Sequence, residues 1–357
     1  MHSESMEGFI SYLSLLAGCR VAPALLGLCL IIFLHNMRKL VDWADMFSRF
    51  QQFFAKRFRA LLCNNETGQV PWLGAVADGE GPGLYMPDEA PWVIHADLAT
   101  MAGGVRALLV QALHPGSLTG VKDHSRYKDD PLGRLAGTIQ WLTVTTFASK
   151  EHLMKEAERI KSMHKKVKGK YTDARSDTKT YSAYHQDLLL WVHIAFMDSF
   201  LKTHQAYSST PIPGGADAYV NLWGESVKPL GLKESPTSMA ELNEVLERFE
   251  SELIVTEDTR EVIKWIYDAP LPGPARLVYK LLFQAAYLTL SEKHQEMIGI
   301  RTLPAWLIQP ATKIMLRCMK LMLGNEDPLQ DAAKARLARW ENQKQETIQE
   351  EDQELVT

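Results

Sequence analysis

One block, from Gly103 to Leu201, constrains this chain more than any other, because it sets charged and imidazole side chains between long apolar runs. Its densest part is Gly120-Val-Lys-Asp-His-Ser-Arg-Tyr-Lys-Asp-Asp-Pro-Leu-Gly-Arg-Leu-Ala-Gly-Thr138, which has no hydrophobic face until an amphipathic helix begins near Pro131. Polar groups held against a core have to be paired, ligated or functional.

Around this block the pattern is helical throughout. His95 to Leu113 reads as one helix containing Gly103-Gly104, where the missing side chains permit close approach of a second helix or a ligand. His114-Pro115 ends it. Asp130-Pro131 is a cap followed by a first-turn proline, and Ser149 caps a charged helix from Glu151 to Lys168. Asp187 to Thr203 is a further apolar helix. The segments 238–250, 258–267, 274–290, 304–323 and 327–345 continue as helices between Pro/Gly breaks. No run of alternating strands appears, so the expected fold class is all-α, with one large helical domain over residues 92–325. Residues 326–357 read as a charged helix that passes, from Gln343, into a Gln/Glu-rich disordered tail.

The N-terminal quarter is of a different kind. Gly8 to Leu34 is almost wholly apolar, interrupted by Arg20, and is read as a transmembrane anchor helix at about 13–35 within an anchor segment 1–36. A cleaved signal peptide and a buried core helix are the rival readings. Glu4 and Glu7 at the start and the absence of a small-x-small cleavage site favour a retained anchor over a signal peptide. Only Arg20 precedes the cleanest apolar run, whereas Arg38, Lys39, Arg49, Lys56, Arg57 and Arg59 follow it, which places the remainder of the chain in the cytosol. The sequon Asn65-Glu-Thr67 is then expected to be silent. Residues 37–91 divide into an amphipathic helix (37–62, with Leu40, Trp43, Met46, Phe47, Phe50, Phe53 and Phe54 at helical spacing) and a Gly/Pro-rich linker (68–91). That helix either lies along a membrane surface or packs on the domain that follows.

Much is excluded by composition and motif. A formal net charge of -4 leaves no basic domain to neutralise phosphates, so no nucleic-acid partner is expected. The four cysteines (Cys19, Cys29, Cys63, Cys318) are scattered without a Cys-x-x-Cys, which removes zinc ribbons, disulfide frameworks and c-type haem attachment. No His-Glu-x-x-His, Gly-x-Ser-x-Gly, Gly-x-Gly-x-x-Gly or Walker loop is present. Of the imidazoles in or near the block (His95, His114, His124, His164, His185, His193, His204), none has an acidic residue three positions earlier, against a Glu-x-x-His di-iron bundle. What remains is a single-histidine haem site or no cofactor. Arg134 and Thr138 share a helix face with Trp141, Leu142 and Thr145, which suits a carboxylate such as a haem propionate, or a polar substrate oxygen. The bland alternative is an Arg134 paired with Asp123, Asp129 or Asp130.

Five pieces resemble, in the same order, the family that joins the bacterial rubber oxygenase (latex clearing protein) to the fungal ER-bound oxygenase MpaB. They are Leu109-Val-Gln-Ala-Leu-His-Pro115, Gly120-Val-Lys-Asp-His-Ser-Arg-Tyr127, Asp130-Pro-Leu-Gly-Arg-Leu-Ala-Gly-Thr138, Met163-His-Lys-Lys-Val-Lys-Gly169 and Tyr181-Ser-Ala-Tyr-His-Gln-Asp-Leu-Leu-Leu-Trp-Val-His193. The resemblance implies a partly globin-like helical core binding haem b through one histidine, with molecular oxygen as co-substrate. It implies an enzyme of the endoplasmic reticulum membrane that oxidises or cleaves a C=C bond in a lipophilic prenylated, terpenoid or polyketide metabolite. By that resemblance His164 is the iron ligand, Arg134 and Thr138 lie beside the haem, and His114, His124 and His193 are candidates for the distal pocket or for bonds to the ligand. Where rubber oxygenase carries a lysine just before the threonine, this chain has Gly137, and the glutamate upstream of the arginine has no counterpart. Oxidative cyclisation or dehydrogenation on the same fold, and a non-enzymatic membrane adaptor, are the alternatives.

Overall fold

The computed structural model describes Trp43, residues 45–324 and residues 327–354. By internal contacts the chain falls into two units, Met1–Phe54 and Ala55–Thr357. The expected anchor at 13–35 lies outside the described residues. In the first unit, residues 45–54 are helical, and Trp43, Met46, Phe47 and Phe50 are exposed at the spacing of an apolar stripe. Among the described residues, no single helix is long and apolar enough to cross a membrane.

The second unit is predominantly helical, as the periodicity predicts. After helical residues 55–62 come α1 (Leu73–Ala77), α2 (Ala90–Ala96), α3 (Thr100–Ala112), α4 (Pro115–His124), α5 (Pro131–Phe147) and α6 (Lys150–His164). A hairpin, β1 (Lys168–Thr172) and β2 (Thr178–Ser182), leads to α7 (Gln186–Tyr207) and α8 (Gly215–Gly224). A 3-10 turn (Glu225–Leu230) precedes α9 (Met239–Phe249), α10 (Glu257–Tyr267), α11 (Gly273–Leu288), α12 (Glu292–Ile298), α13 (Ala305–Leu323) and α14 (Pro328–Glu354).

The centre is α3 against α7. A Cβ on Gly103 would lie 2.6 Å from Phe200 Cδ1 and 2.8 Å from Thr203 Oγ1, so only glycine lets the two helices approach this closely. Leu109, Leu113, Trp191, Ile194, Met197, Phe200, Tyr219 and Phe283 fill the core around that crossing. The C-terminal helix is fixed from the opposite end. Buried Arg336 donates from Nη1 to the Val76 carbonyl, and Arg339 donates from Nη2 to Ala77 at 2.7 Å. Both cations therefore meet the partly negative C-terminus of α1.

Four boundaries differ from the sequence reading, each for a local reason. The stretch read as one helix from His95 is two, bent by 95°. Asp97 Oδ1 accepts the Ala99 N–H at 2.8 Å and the Thr100 hydroxyl bonds Ile94 O at 2.6 Å, which turns the chain and restarts the helix. The linker 68–91 contains α1 and the start of α2. The charged helix stops at His164, and the next residues pair as β1 and β2 with Gly169 opposite Tyr181. That hairpin is closed by Asp173, which accepts the Arg175 and Asp177 N–H groups, both at 2.9 Å, and meets Lys179 Nζ at 2.8 Å. Finally, α14 runs on to Glu354 where a disordered tail was expected from Gln343. Gln, Glu and Lys are strong helix formers, and a solvent-exposed extension needs no apolar period.

Candidate functional site

The site candidates of α5 and α6 share one helical hairpin. Asp130 Oδ1 accepts the Gly133 N–H at 3.0 Å and Pro131 opens α5, as the sequence predicts. Ser149 caps α6 two residues after α5 ends, and Gln140 Nε2 donates to Glu156 Oε2 at 3.0 Å between the two helices. Arg134 near the start of α5 and His164 at the end of α6 consequently both lie toward the open end of this hairpin. Trp141 packs with Ala157, Ile160 and Leu230, which ties the hairpin to the 3-10 turn.

At that open end Arg134 meets no carboxylate among the described residues and His164 Nδ1 makes no hydrogen bond. Arg134 is part-buried, and desolvation alone depresses its pKa. Among the described residues no carboxylate pairs with it. Asp123 instead accepts the Tyr181 hydroxyl at 3.1 Å, and Asp130 faces Arg126 at 3.7 Å. The bland reading of an Arg134–aspartate pair is therefore not what forms. Thr138 donates its hydroxyl to the Arg134 carbonyl at 3.3 Å, which leaves its lone pairs free to accept. His164 is part-buried, its Nδ1 is buried with no hydrogen-bond partner, and burial pushes its pKa down. A lowered pKa favours the neutral imidazole, the form that ligates metals. A Cβ placed on Gly137, beside Thr138, would meet nothing within 4 Å, so the helix surface there is open. Gly104 on α3 is open in the same way, in contrast to its packed neighbour Gly103.

The other predicted imidazoles are placed elsewhere. His114 caps α4, its Nδ1 accepting the Gly116 and Ser117 N–H groups at 3.1 and 3.3 Å, while its Nε2 lies 3.4 Å from Glu252. His193 is buried, with Nε2 3.0 Å from Ser235 Oγ and its ring stacked on Trp223. Burial pushes its pKa down to about 3. His124 is exposed, with Nε2 3.2 Å from the Lys168 carbonyl. His95 has both ring nitrogens engaged, by Thr146 at 2.8 Å and Tyr219 at 3.0 Å. His204 is the second imidazole with a buried partnerless nitrogen, its Nδ1, although its Nε2 meets Thr210 O at 2.8 Å. The sequence ranked none of these by satisfaction, because every partner except the helix-capping amides of His114 and the Thr210 carbonyl beside His204 is remote in the chain.

Among the described residues, no group of three or more His, Cys, Asp or Glu side chains is arranged to hold a metal ion. Residues 92–321 match the family model described as ER-bound oxygenase mpaB/B'/Rubber oxygenase, catalytic domain. Neither a curated protein nor a solved structure matches the chain. With the match spanning most of the chain, including Arg134, Thr138 and His164, this protein belongs to the family of the mpaB/B' and rubber oxygenases.

Proposed function

We propose that the chain is a haem b-dependent oxygenase acting on a lipophilic prenylated, terpenoid or polyketide metabolite, with molecular oxygen as co-substrate. The observation that supports this reading is the pairing, at one end of the α5–α6 hairpin and within the residues matched by an oxygenase family, of a buried unbonded His164 Nδ1 with a part-buried Arg134 that meets no carboxylate among the described residues. Buried polar groups are almost always bonded, so the orphaned Nδ1 of His164 suits a site that takes a ligand, and the desolvated Arg134 lies on the same hairpin with no counter-ion among the described residues.

The residues present fit a haem. His164, whose pKa is lowered by burial, would hold the iron through a ring nitrogen. Arg134 offers a guanidinium to a propionate. At Gly137, beside Thr138, no side chain covers the helix surface within 4 Å of a Cβ position. When bound, the haem supplies the oxygen chemistry, and the protein's part is ligation, orientation and polarity. Thr138, its proton committed to the helix backbone, can accept a hydrogen bond from a substrate hydroxyl and so orient it. In this reading His114, His193 and His124 support the fold and take no step in the reaction. The membrane part of the proposal is that the 13–35 segment anchors the chain in the endoplasmic reticulum membrane with the helical unit in the cytosol, close to a substrate that concentrates in lipid.

A pyridine haemochrome spectrum of wild type, His164→Ala and His204→Ala tests the core of this. The expected result is colour in wild type and His204→Ala, and its loss from a His164→Ala protein whose circular dichroism is unchanged. Colour retained in His164→Ala would move the ligand role to another imidazole, with His204 next. A folded wild-type protein that takes up no iron from supplied haem would remove the reading altogether. Oxygen-18 in the product separates oxygenation from cyclisation or dehydrogenation, which leave the label in water.

A further inference from the structure

Helix α13 carries two apolar faces where a helix at the edge of a domain needs one. With side chains advancing about 100° per residue, Ile308, Thr312, Leu316 and Met319 fall on one side, and all four are buried. Trp306, Leu307, Pro310 and Ile314 fall on the opposite side, and all four are exposed, Trp306 at 76% and Ile314 at 59%. Leu303 leads into this stripe, held by its N–H to Gln284 Oε1 of α11 at 3.0 Å, and is itself 51% exposed. Leu277 near the start of α11, the helix packed beside α13, is 76% exposed. Isolated exposed apolar residues are ordinary, but a contiguous stripe is not.

The charge beside the stripe says what covers it. Lys313 and Lys320 lie along one edge of it and Arg317 falls just inside that edge, all exposed and without a carboxylate partner among the described residues. Neither α11 nor α13 contains a single Asp or Glu. An apolar face with an aromatic anchor and a purely basic margin is the pattern of a helix lying in the headgroup region of an anionic bilayer. A second copy of this chain suits it badly. A two-fold contact through this face would set Lys313, Arg317 and Lys320 against their own copies with no acid in either helix to offset them.

We propose that the α13 face, with the start of α11, docks on the surface of an anionic lipid bilayer, as a contact distinct from any N-terminal anchor. The inference does not depend on the haem reading, and its test reads position rather than activity. Cys318 lies exposed on α13 and Cys63 is buried. In the full chain bearing Cys19→Ser and Cys29→Ser, an environment-sensitive fluorophore on Cys318 reports this face directly. A control chain carries Cys318→Ser and the label on Glu247→Cys, an exposed position on α9.

With phosphatidylcholine vesicles containing phosphatidylserine, the Cys318 label is expected to shift to the blue and to be quenched by lipids spin-labelled high on the acyl chain. The Glu247→Cys label is expected to stay in water. Changing Lys313, Arg317 and Lys320 to Gln together should move the docking equilibrium about a hundredfold toward the undocked state, since each surface cation contributes comparably. Trp306→Ser with Ile314→Ser should also release the label. A chain that floats with the vesicles while its Cys318 label stays in water would overturn the proposal in favour of the N-terminal segment alone. A label already shielded before lipid is added would overturn it in favour of a second copy or of the chain's own N-terminus. Failure to associate with vesicles at all would overturn it too.

Discussion

Arg106 Nη2 lies 2.6 Å from Asp198 Oδ2, and the two side chains are only 4% and 9% exposed, so the central α3–α7 crossing is bridged by a desolvated ion pair. The pair is completed by neutral partners: Arg106 Nη1 donates to Ser199 Oγ at 2.9 Å and its Nε to the Thr289 carbonyl at 3.2 Å. Asp198→Ala leaves a buried guanidinium without its charge partner and is expected to cost about 3–5 kcal/mol in denaturant unfolding. Arg106→Met combined with Asp198→Leu removes both charges and should recover most of that loss. If the double variant is no better than the single one, the pair contributes more than its desolvation costs.

The adjacent glycines Gly103 and Gly104 make opposite predictions. Gly103→Ala drives a methyl into the Phe200 ring and the α7 backbone, and should destabilise by about 1–3 kcal/mol. Gly104→Ala meets open space in a helix interior, and should stabilise by about 0.5–1 kcal/mol through lower chain entropy in the unfolded state. Thermal unfolding of the two variants decides it, and equal effects would mean that the crossing is not as tight as the distances require.

These glycines also mark how far the sequence is legible. Helix type and order follow from apolar period and caps, and Asp130-Pro131 and Ser149 start helices where their chemistry says. The hairpin after His164 escaped because its strands are short and rich in Lys and Thr, so their pairing rests on the Asp173 turn rather than on an apolar face. At the site, Arg134, Thr138 and His164 could be named from motifs, yet the missing carboxylate beside Arg134 could not, since it depends on where Asp123 and Asp130 turn. Nor does spacing distinguish His114, which caps a helix, from His164, which bonds nothing through Nδ1.

Stability should fall as the solution is acidified from about pH 6.5. His95 and His193 are buried with pKa values pushed from 6.5 down to about 3, mainly by burial. The unfolded chain binds protons at these rings below pH 6.5 while the folded chain does not. Their stabilisation is therefore complete above pH 6.5 and is lost progressively toward pH 3, at roughly 1.4 kcal/mol per pH unit for each histidine. Urea unfolding at a series of pH values measures that slope. His95→Gln should make it shallower by about one histidine's share, and an unchanged slope would show that His95 is protonated in the folded protein.

The hairpin turn has its own acid limit. Asp173 is held at a pKa of about 2, first by its bond to Lys179 and then by the Asp177 and Arg175 amides. The stabilisation this gives is present above the ordinary value of 3.8 and is lost as pH falls through about 2. Asp173→Asn should raise amide exchange across β1 and β2 at neutral pH while leaving α3 and α7 protected. Loss of protection throughout the chain would mean that the hairpin is integral to the core rather than a local unit.

Arg134 offers the sharpest separation of a functional from a structural role. Arg134 is a part-buried guanidinium with its pKa lowered by desolvation and no carboxylate partner among the described residues, an arrangement that costs stability. If Arg134 exists to meet a bound carboxylate, Arg134→Met should raise the unfolding midpoint of the haem-free protein and, in the same preparation, weaken uptake of haem measured by titration. Such an exchange of stability for binding is what a residue kept for a ligand produces. Arg134→Lys, which keeps the charge but not the fork of donors, should restore binding only in part. A drop in stability of the haem-free Arg134→Met protein would instead assign Arg134 to the fold, and the α5–α6 hairpin would lose its claim to be the site.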